Sequence, residues 1–134
     1  MVDTQSLTEL NRSIIERFYS AGARGDIDTM TDCLADDVVT YEPAYLPFGG
    51  QYRGKDALAI VFTAVAQIAD VTRFRIYDVL VDGDRAVAFG GYPLNDTGQF
   101  TRFAEETRLA GGKITEIRVY YYDVQSMIEA AYAD

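Results

Sequence analysis

The chain contains no histidine. That absence excludes a Ser-His-Asp or Cys-His relay, and it excludes a His-ligated zinc, copper or haem site. Acid–base work therefore falls to Asp, Glu, Tyr, Lys or Cys. The one cysteine, Cys33, has no partner for an internal disulfide. It lies in an apolar helical pattern and reads as a small core residue. Basic residues are scarce too: 12 Lys and Arg stand against 21 Asp and Glu, for a net charge of −9. Phosphate backbones repel such a surface, so neither nucleic acid nor an anionic membrane is an expected partner. There is no apolar run long enough to span a bilayer, and the N-terminus lacks the charged-then-apolar pattern of an export signal. A cytoplasmic location is the default expectation. The glycine pairs at 49–50, 90–91 and 111–112 do not fit GxGxxG or a P-loop, and no spaced DxD-type acidic set occurs. No cofactor and no metal are expected.

What is present is apolar and aromatic. Hydrophobic residues make up 49% of the 134, with ten Tyr and seven Phe. This is enough for one domain, residues 1–134, with a sizeable core. Ser6-x-x-Glu9 reads as a capping box opening a first helix, with Leu7, Leu10, Ile14 and Phe18 on one face. Asp26 caps a short second helix, with Ile27, Met30 and Leu34 inward. A strand over 38–42 ends at Pro43, which cannot continue a ladder. A third helix spans 55–69, with Leu58, Val61, Phe62 and Val65 as its stripe.

Strands are then predicted over 71–82, 85–94, 99–110 and 113–122, followed by a terminal helix over 124–132 capped by Asp123. In the first, Phe74, Ile76 and Leu80 share one face, and Asp82-Gly83-Asp84 is a hairpin turn. Gly90-Gly91 marks a bulge or sharp bend in the second. Helices followed by an antiparallel meander make the class α+β.

Two acids stand out. Glu42 sits at the lip of strand 38–42, beside an aromatic loop with Tyr45, Leu46 and Phe48. In strand 99–110, alternation puts Phe103, Glu105, Thr107 and Leu109 on the apolar face. Glu106 faces out, between Arg102 and Arg108. An acid on an apolar face is costly unless paired or protonated, and desolvation raises its pKa. Such a carboxyl can serve as a hydrogen-bond donor or general acid near neutral pH.

The ordered set of motifs resembles a known family. It runs from a first helix through Arg24-Gly25-Asp26-Ile27-Asp28 to Leu34-Ala35-Asp36-Asp37. A short strand, an acid and a proline follow, then Tyr52-Arg53-Gly54 and Gly112-Lys113-Ile114. The chain is similar in this to the SnoaL-like and ketosteroid isomerase-like branch of the nuclear transport factor 2-like superfamily. The resemblance implies a cone: a curved, mostly antiparallel sheet wrapped around N-terminal helices, with an apolar pocket inside (the cystatin-like α+β barrel). It implies Glu42 as the carboxylate base that moves a proton and Glu105 as a protonated acid that hydrogen-bonds the developing enolate. The family's oxyanion tyrosine corresponds to Phe18, which has no hydroxyl. Tyr19 points about 100° away at helical spacing, so Tyr121 is taken as the replacement.

The function expected is cofactor-free acid–base catalysis on a small apolar carbonyl compound, such as a polyketide, terpenoid or steroid-like ring. Phe18, Tyr45, Phe48, Phe62 and Phe103 would line the pocket with Val119 and Tyr121. Alternatives are a pocket protein without catalysis, or a dehydratase or epoxide hydrolase on the same fold. An epoxide hydrolase's last-strand acid would fall near Val119, which weakens that alternative. Tyr120, Tyr121 and Tyr122 make both faces of the last strand apolar. A homodimer through the outer sheet face is therefore expected.

Overall fold

A computed structural model describes residues 3–133. Helix α1 (Thr4–Ala23) leads into α2 (Ile27–Asp32), β1 (Leu34–Glu42), β2 (Gly50–Arg53) and α3 (Ala57–Ala66). A 3-10 turn (Val71–Arg73) precedes β3 (Arg75–Asp82), β4 (Arg85–Pro93), β5 (Phe100–Ala110), β6 (Lys113–Tyr121) and α4 (Val124–Ala131). The fold is α+β, with N-terminal helices against one curved six-stranded sheet in the order β2-β1-β6-β5-β4-β3. Among the described residues no helix is long and apolar enough to cross a membrane.

Local chemistry sets most boundaries. Asp26 and Asp123 accept hydrogen bonds from the backbone N–H of Thr29 and Ser126 and so start α2 and α4, as expected. At α1 the cap is Asp3, bonded to the Ser6 N–H at 2.8 Å. Ser6 and Glu9 instead lie within the helix. The buried stripe of α1 runs Asn11, Ile15, Phe18, Tyr19 and Gly22, one position out of phase with the expected face, and Leu10 is half exposed. The two phases share only Phe18. Asn11 sets the rotation: its buried Nδ2 donates to the Gly83 carbonyl at 2.8 Å, while the Gly83 N–H donates to Thr8 Oγ1 at 2.8 Å. These two bonds clamp α1 to the β3–β4 turn.

The sheet departs from a plain meander at β1 and at β3. β1 starts at Leu34, pairs antiparallel with the short β2, and runs parallel to β6. In β3 the register slips between Ile76 and Asp78. One extra residue inverts the alternation beyond it. Val79 and Val81 therefore pack on the core and Leu80 is exposed, contrary to the expected face. Gly90 and Gly91 lie opposite this bulge. A Cβ on Gly90 would meet the Arg75 carbonyl oxygen at 2.2 Å, and one on Gly91 would meet that of Thr101 at 2.2 Å. The sheet bends here because the backbones come too close for a side chain.

Apolar residues gather in two clusters. One joins α1, α2 and the early parts of β1 and β6 around Ile15, Phe18, Leu34 and Ile114. The other joins α3, α4, the ends of β4 and β6 and the start of β5 around Val65, Leu94, Phe103 and Met127. Phe74 and Ile76 pack on both, and Cys33 is buried in the first.

Candidate active site

A cavity opens at the seam between the two clusters. Its lining takes Phe18 and Tyr19 from α1, Val61, Phe62 and Val65 from α3, Phe74 from the segment before β3, and Tyr92, Phe103 and Tyr121 from the sheet. Both expected acids, Glu42 and Glu105, reach it. The free space is about 80 Å³. A dry cavity of about 150 Å³ accepts benzene, so this one is smaller than any polyketide, terpenoid or steroid-like ring requires.

Glu105 sits mid-strand on β5, opposite Ala88 of β4 and Val119 of β6, and faces inward with Phe103 and Thr107. It keeps some accessible surface because it borders the cavity. Tyr19 donates its hydroxyl to Glu105 Oε1 at 2.7 Å. The Tyr19 ring is held in a stack: Phe74 lies parallel to it at 6.4 Å between centroids, and Phe103 parallel to Phe74 at 5.9 Å. Burial raises the Glu105 pKa, and the Tyr19 hydrogen bond opposes the rise. Burial and the adjacent Glu105 push Tyr19 well above the usual phenol range, so it stays protonated.

Glu42 is the last residue of β1, paired with Gly50 of β2. Its Oε2 is buried with no hydrogen-bond partner among the described residues. Burial first, and then the charge of Glu105, raise its pKa to about 8. These environments favour the neutral form at Glu42 rather than at Glu105, where it was expected. Glu105 has a hydroxyl donor that stabilises its charge; Glu42 has none and holds its proton at neutral pH. Two carboxyls facing one low-dielectric space do not both ionise readily, and the proton rests on the one lacking a donor.

Near these acids two further hydroxyls meet. Tyr92 and Tyr121 are both buried, and their oxygens hydrogen-bond at 2.5 Å. Burial drives both pKa values upward, and the charges of Glu42 and Glu105 add to it. Among the described residues no three His, Cys, Asp or Glu side chains converge to hold a metal ion.

Of the expected lining, Phe18, Phe62, Phe103 and Tyr121 are in place. Tyr45, Phe48 and Val119 are not. The loop after β1 is tightened by bonds from the Leu46 N–H to Pro43 O and from the Gly49 N–H to Leu46 O. Leu46 is the loop residue that turns into the core, and Tyr45 borders an outer hollow with Glu42 and Tyr121. Phe48 packs against the second cluster while its carbonyl accepts the Tyr52 hydroxyl at 2.6 Å. Val119 is buried in that cluster, and its remaining surface borders the outer hollow.

Tyr19 and Tyr92 were not expected. The stripe Asn11, Ile15, Phe18, Tyr19, Gly22 does follow i, i+4, i+7, i+8, i+11, which is the signal that could have found Tyr19. Tyr92 follows Gly91 at a strand end, where alternation is hard to phase. Glu106 faces out as expected, but its partners are Arg85 at 3.5 Å and the Tyr120 hydroxyl at 3.0 Å. Arg108 pairs with Glu116 and Arg102 lies over the Tyr77 ring.

Comparison with known proteins agrees with this architecture. The SnoaL-like domain family matches residues 15–117. The uncharacterized protein Rv0034 of Mycobacterium tuberculosis H37Rv is 31% identical over 114 residues, covering 82% of this chain and 87% of that protein. Bal32a, from a soil-derived mobile gene cassette, superposes with a TM-score of 0.81 at 19% identity, over 93% of this chain and 98% of its own. An NTF2-like protein from Burkholderia xenovorans LB400 does so with a TM-score of 0.74 at 22% identity, over 92% and 97%. The matched family segment carries Tyr19, Glu42, Tyr92 and Glu105 on the same scaffold of helices and curved sheet, and the chain belongs to the SnoaL-like family, with the NTF2-like fold.

Proposed function

We propose that this protein is a cofactor-independent enzyme that moves a proton on a small apolar carbonyl compound. One observation carries the reading. A carboxyl without a hydrogen-bond partner (Glu42) and a carboxylate fixed by a tyrosine (Glu105) face the same apolar cavity. Environments that push two acids apart in pKa separate a base from an acid. Glu105, ionised and oriented by Tyr19, takes a proton from the carbon beside the carbonyl. The C–H electron pair moves into the enolate, and the Glu42 O–H meets the developing oxygen charge. Return of the proton from Glu105 to a second carbon completes an isomerisation. The step requires no oxidant, metal or cofactor.

The test is exchange of protons for deuterons beside the carbonyl in a panel of small ketones, followed by NMR in D2O. A positioned general base is worth about 10²–10⁴-fold, so Glu105→Gln is expected to slow exchange by that factor. Glu42→Gln, whose amide still donates a hydrogen bond, is expected to retain part of the rate. A parent protein no faster than buffer, or a Glu105→Gln variant as fast as the parent, removes the reading.

The same proposal places a second copy of the chain on the outer sheet face. In its support, Tyr120 is 51% exposed, Leu80 56% and Tyr122 88%.

A further inference from the structure

The closed cavity is too small for the molecules its acids would serve. A dry cavity of about 150 Å³ takes benzene, so about 80 Å³ holds roughly three heavy atoms. A wall has to move before a six-membered ring binds, and the walls differ in what holds them.

The wall made by α3 has no polar tie. Its ten residues carry no charge, and its one hydroxyl, on Thr63, donates to the Ala59 carbonyl inside the helix. Asp56 at its N-cap makes no side-chain capping bond. Among the described residues no side-chain hydrogen bond or ion pair joins α3 to another element. By contrast, α1 is clamped to the β3–β4 turn through Asn11, and the Asp123 cap of α4 is bonded to Gln99. What holds α3 is the apolar side it turns to the cavity: Leu58, Val61, Phe62 and Val65. The chain on either side is fixed. The Gly54 N–H donates to Val38 O at 2.7 Å and Lys55 pairs with Asp36 at 3.2 Å. Past the helix, the Asn95 N–H donates to Ile68 O and the Asp70 N–H to Pro93 O, both at 2.9 Å. Gly54 has φ +93°, a conformation open to glycine and strained for other residues. A segment tied at both ends and held between them by apolar contact alone opens at low cost.

Phe62 stands where that opening would reach the surface. With Gly22 and Val71 it lines both the inner cavity and a surface hollow of about 190 Å³ beside Arg24 and Thr72. Joined, the two spaces exceed the volume that takes benzene. The cavity also meets the outer hollow, at Glu42 and Tyr121. That end is framed by hydrogen bonds: Tyr92 with Tyr121, the Leu46 N–H to Pro43 O and the Gly49 N–H to Leu46 O. From this difference we infer that α3 is a lid over the cavity and Phe62 its gate, so that Phe62 determines which molecules reach Glu42 and Glu105. The inference rests on the cavity being the substrate site. It adds to the proton-transfer reading the route of entry and the residue that sets the size of what enters.

Ligand entry followed by NMR tests it without turnover. Cyclopropane fits the closed space and toluene does not. Dissociation constants and association rates are to be measured for the parent, Phe62→Ala, Val65→Ala and Tyr45→Ala. Val65 lines the cavity from the same helix without bordering the surface hollow, and Tyr45 borders the outer hollow at the opposite end. The parent is expected to bind both probes. Phe62→Ala is expected to speed toluene association by about tenfold or more, as a lowered entry barrier does. Val65→Ala and Tyr45→Ala are expected to associate with toluene at close to the parent's rate. In the free parent, 15N relaxation dispersion should show microsecond-to-millisecond exchange across α3 and none across α1.

Retained cyclopropane binding shows that a variant has kept its cavity, and Phe62→Leu replaces Phe62→Ala if the latter does not fold. No toluene binding by the parent, or an unchanged association rate in the Phe62 variant, overturns the inference. So does equal acceleration in Val65→Ala, which makes Phe62 one lining residue among several. Greater acceleration in Tyr45→Ala puts the entrance at the outer hollow and overturns it as well. Flat dispersion across α3 removes the lid. A parent that admits toluene past Phe62 but exchanges no protons on small ketones keeps this inference and loses the proton-transfer reading. Proton exchange in a protein whose Phe62 variant admits toluene no faster keeps proton transfer and removes the gate.

Discussion

Replacing Glu42 by Gln should make the protein more stable at alkaline pH and leave it little changed at acidic pH. The folded-state pKa of Glu42 is about 8, against an ordinary value of 4.5. Between those limits the folded chain holds a proton that the unfolded chain has released. Stability therefore falls as pH rises from about 4.5 to about 8, and the loss is complete above the folded pKa. The slope is about 1.4 kcal/mol per pH unit, which over the whole interval sets a ceiling of about 5 kcal/mol.

That ceiling is a large part of a small domain's stability. The amide of Gln has the size of the neutral acid and no charge at any pH, so the variant lacks this decline. The chain has no tryptophan and ten tyrosines, so urea unfolding can be followed by tyrosine fluorescence or far-UV circular dichroism. Measurements at pH 5, 6, 7 and 8 are expected to show the variant gaining on the parent at each step, by a few kcal/mol in total. A difference between the two proteins that stays constant from pH 5 to 8 refutes the reasoning, because Glu42 would then titrate alike in both states.

Other expectations follow from the scaffold. Asn11→Ala leaves the buried Gly83 carbonyl without its donor and should cost roughly 1–3 kcal/mol by denaturant titration. An unchanged midpoint would mean that water replaces the side chain. Light scattering at micromolar concentration should give the mass of a dimer; a monomer mass would remove the second copy from the outer sheet face.

The parts of the fold legible in the sequence are those with local causes. Asp26 and Asp123 were readable as helix caps because an N-cap acts within three residues. Glu105 was readable as inward because Phe103 and Thr107, two residues to either side of it on β5, are buried on the same face. Glu42 was readable as a strand end because Pro43 follows it. The rest depends on partners far along the chain. The parallel pairing of β1 with β6 joins Thr40 to Ile117, and no local pattern encodes it.

The bulge in β3 inverts one strand's faces by a single residue, which alternation cannot foresee. The phase of α1 is set by Asn11 reaching Gly83 in a distant hairpin. A polar residue on the buried face hid the stripe that carries Tyr19. Which of the two acids holds the proton was not legible for the same reason. The answer depends on a hydroxyl contributed by the misphased helix face.

The most direct test of the central claim is a pH titration of the glutamate side-chain carboxyl carbons by 13C NMR, with Glu42→Gln and Glu105→Gln used for assignment. A resonance that disappears in Glu42→Gln is expected to titrate near pH 8, with the Glu105 carboxyl ionising before it. A Glu42 carboxyl that titrates between pH 4 and 5, or a Glu105 carboxyl that ionises after Glu42, would contradict it.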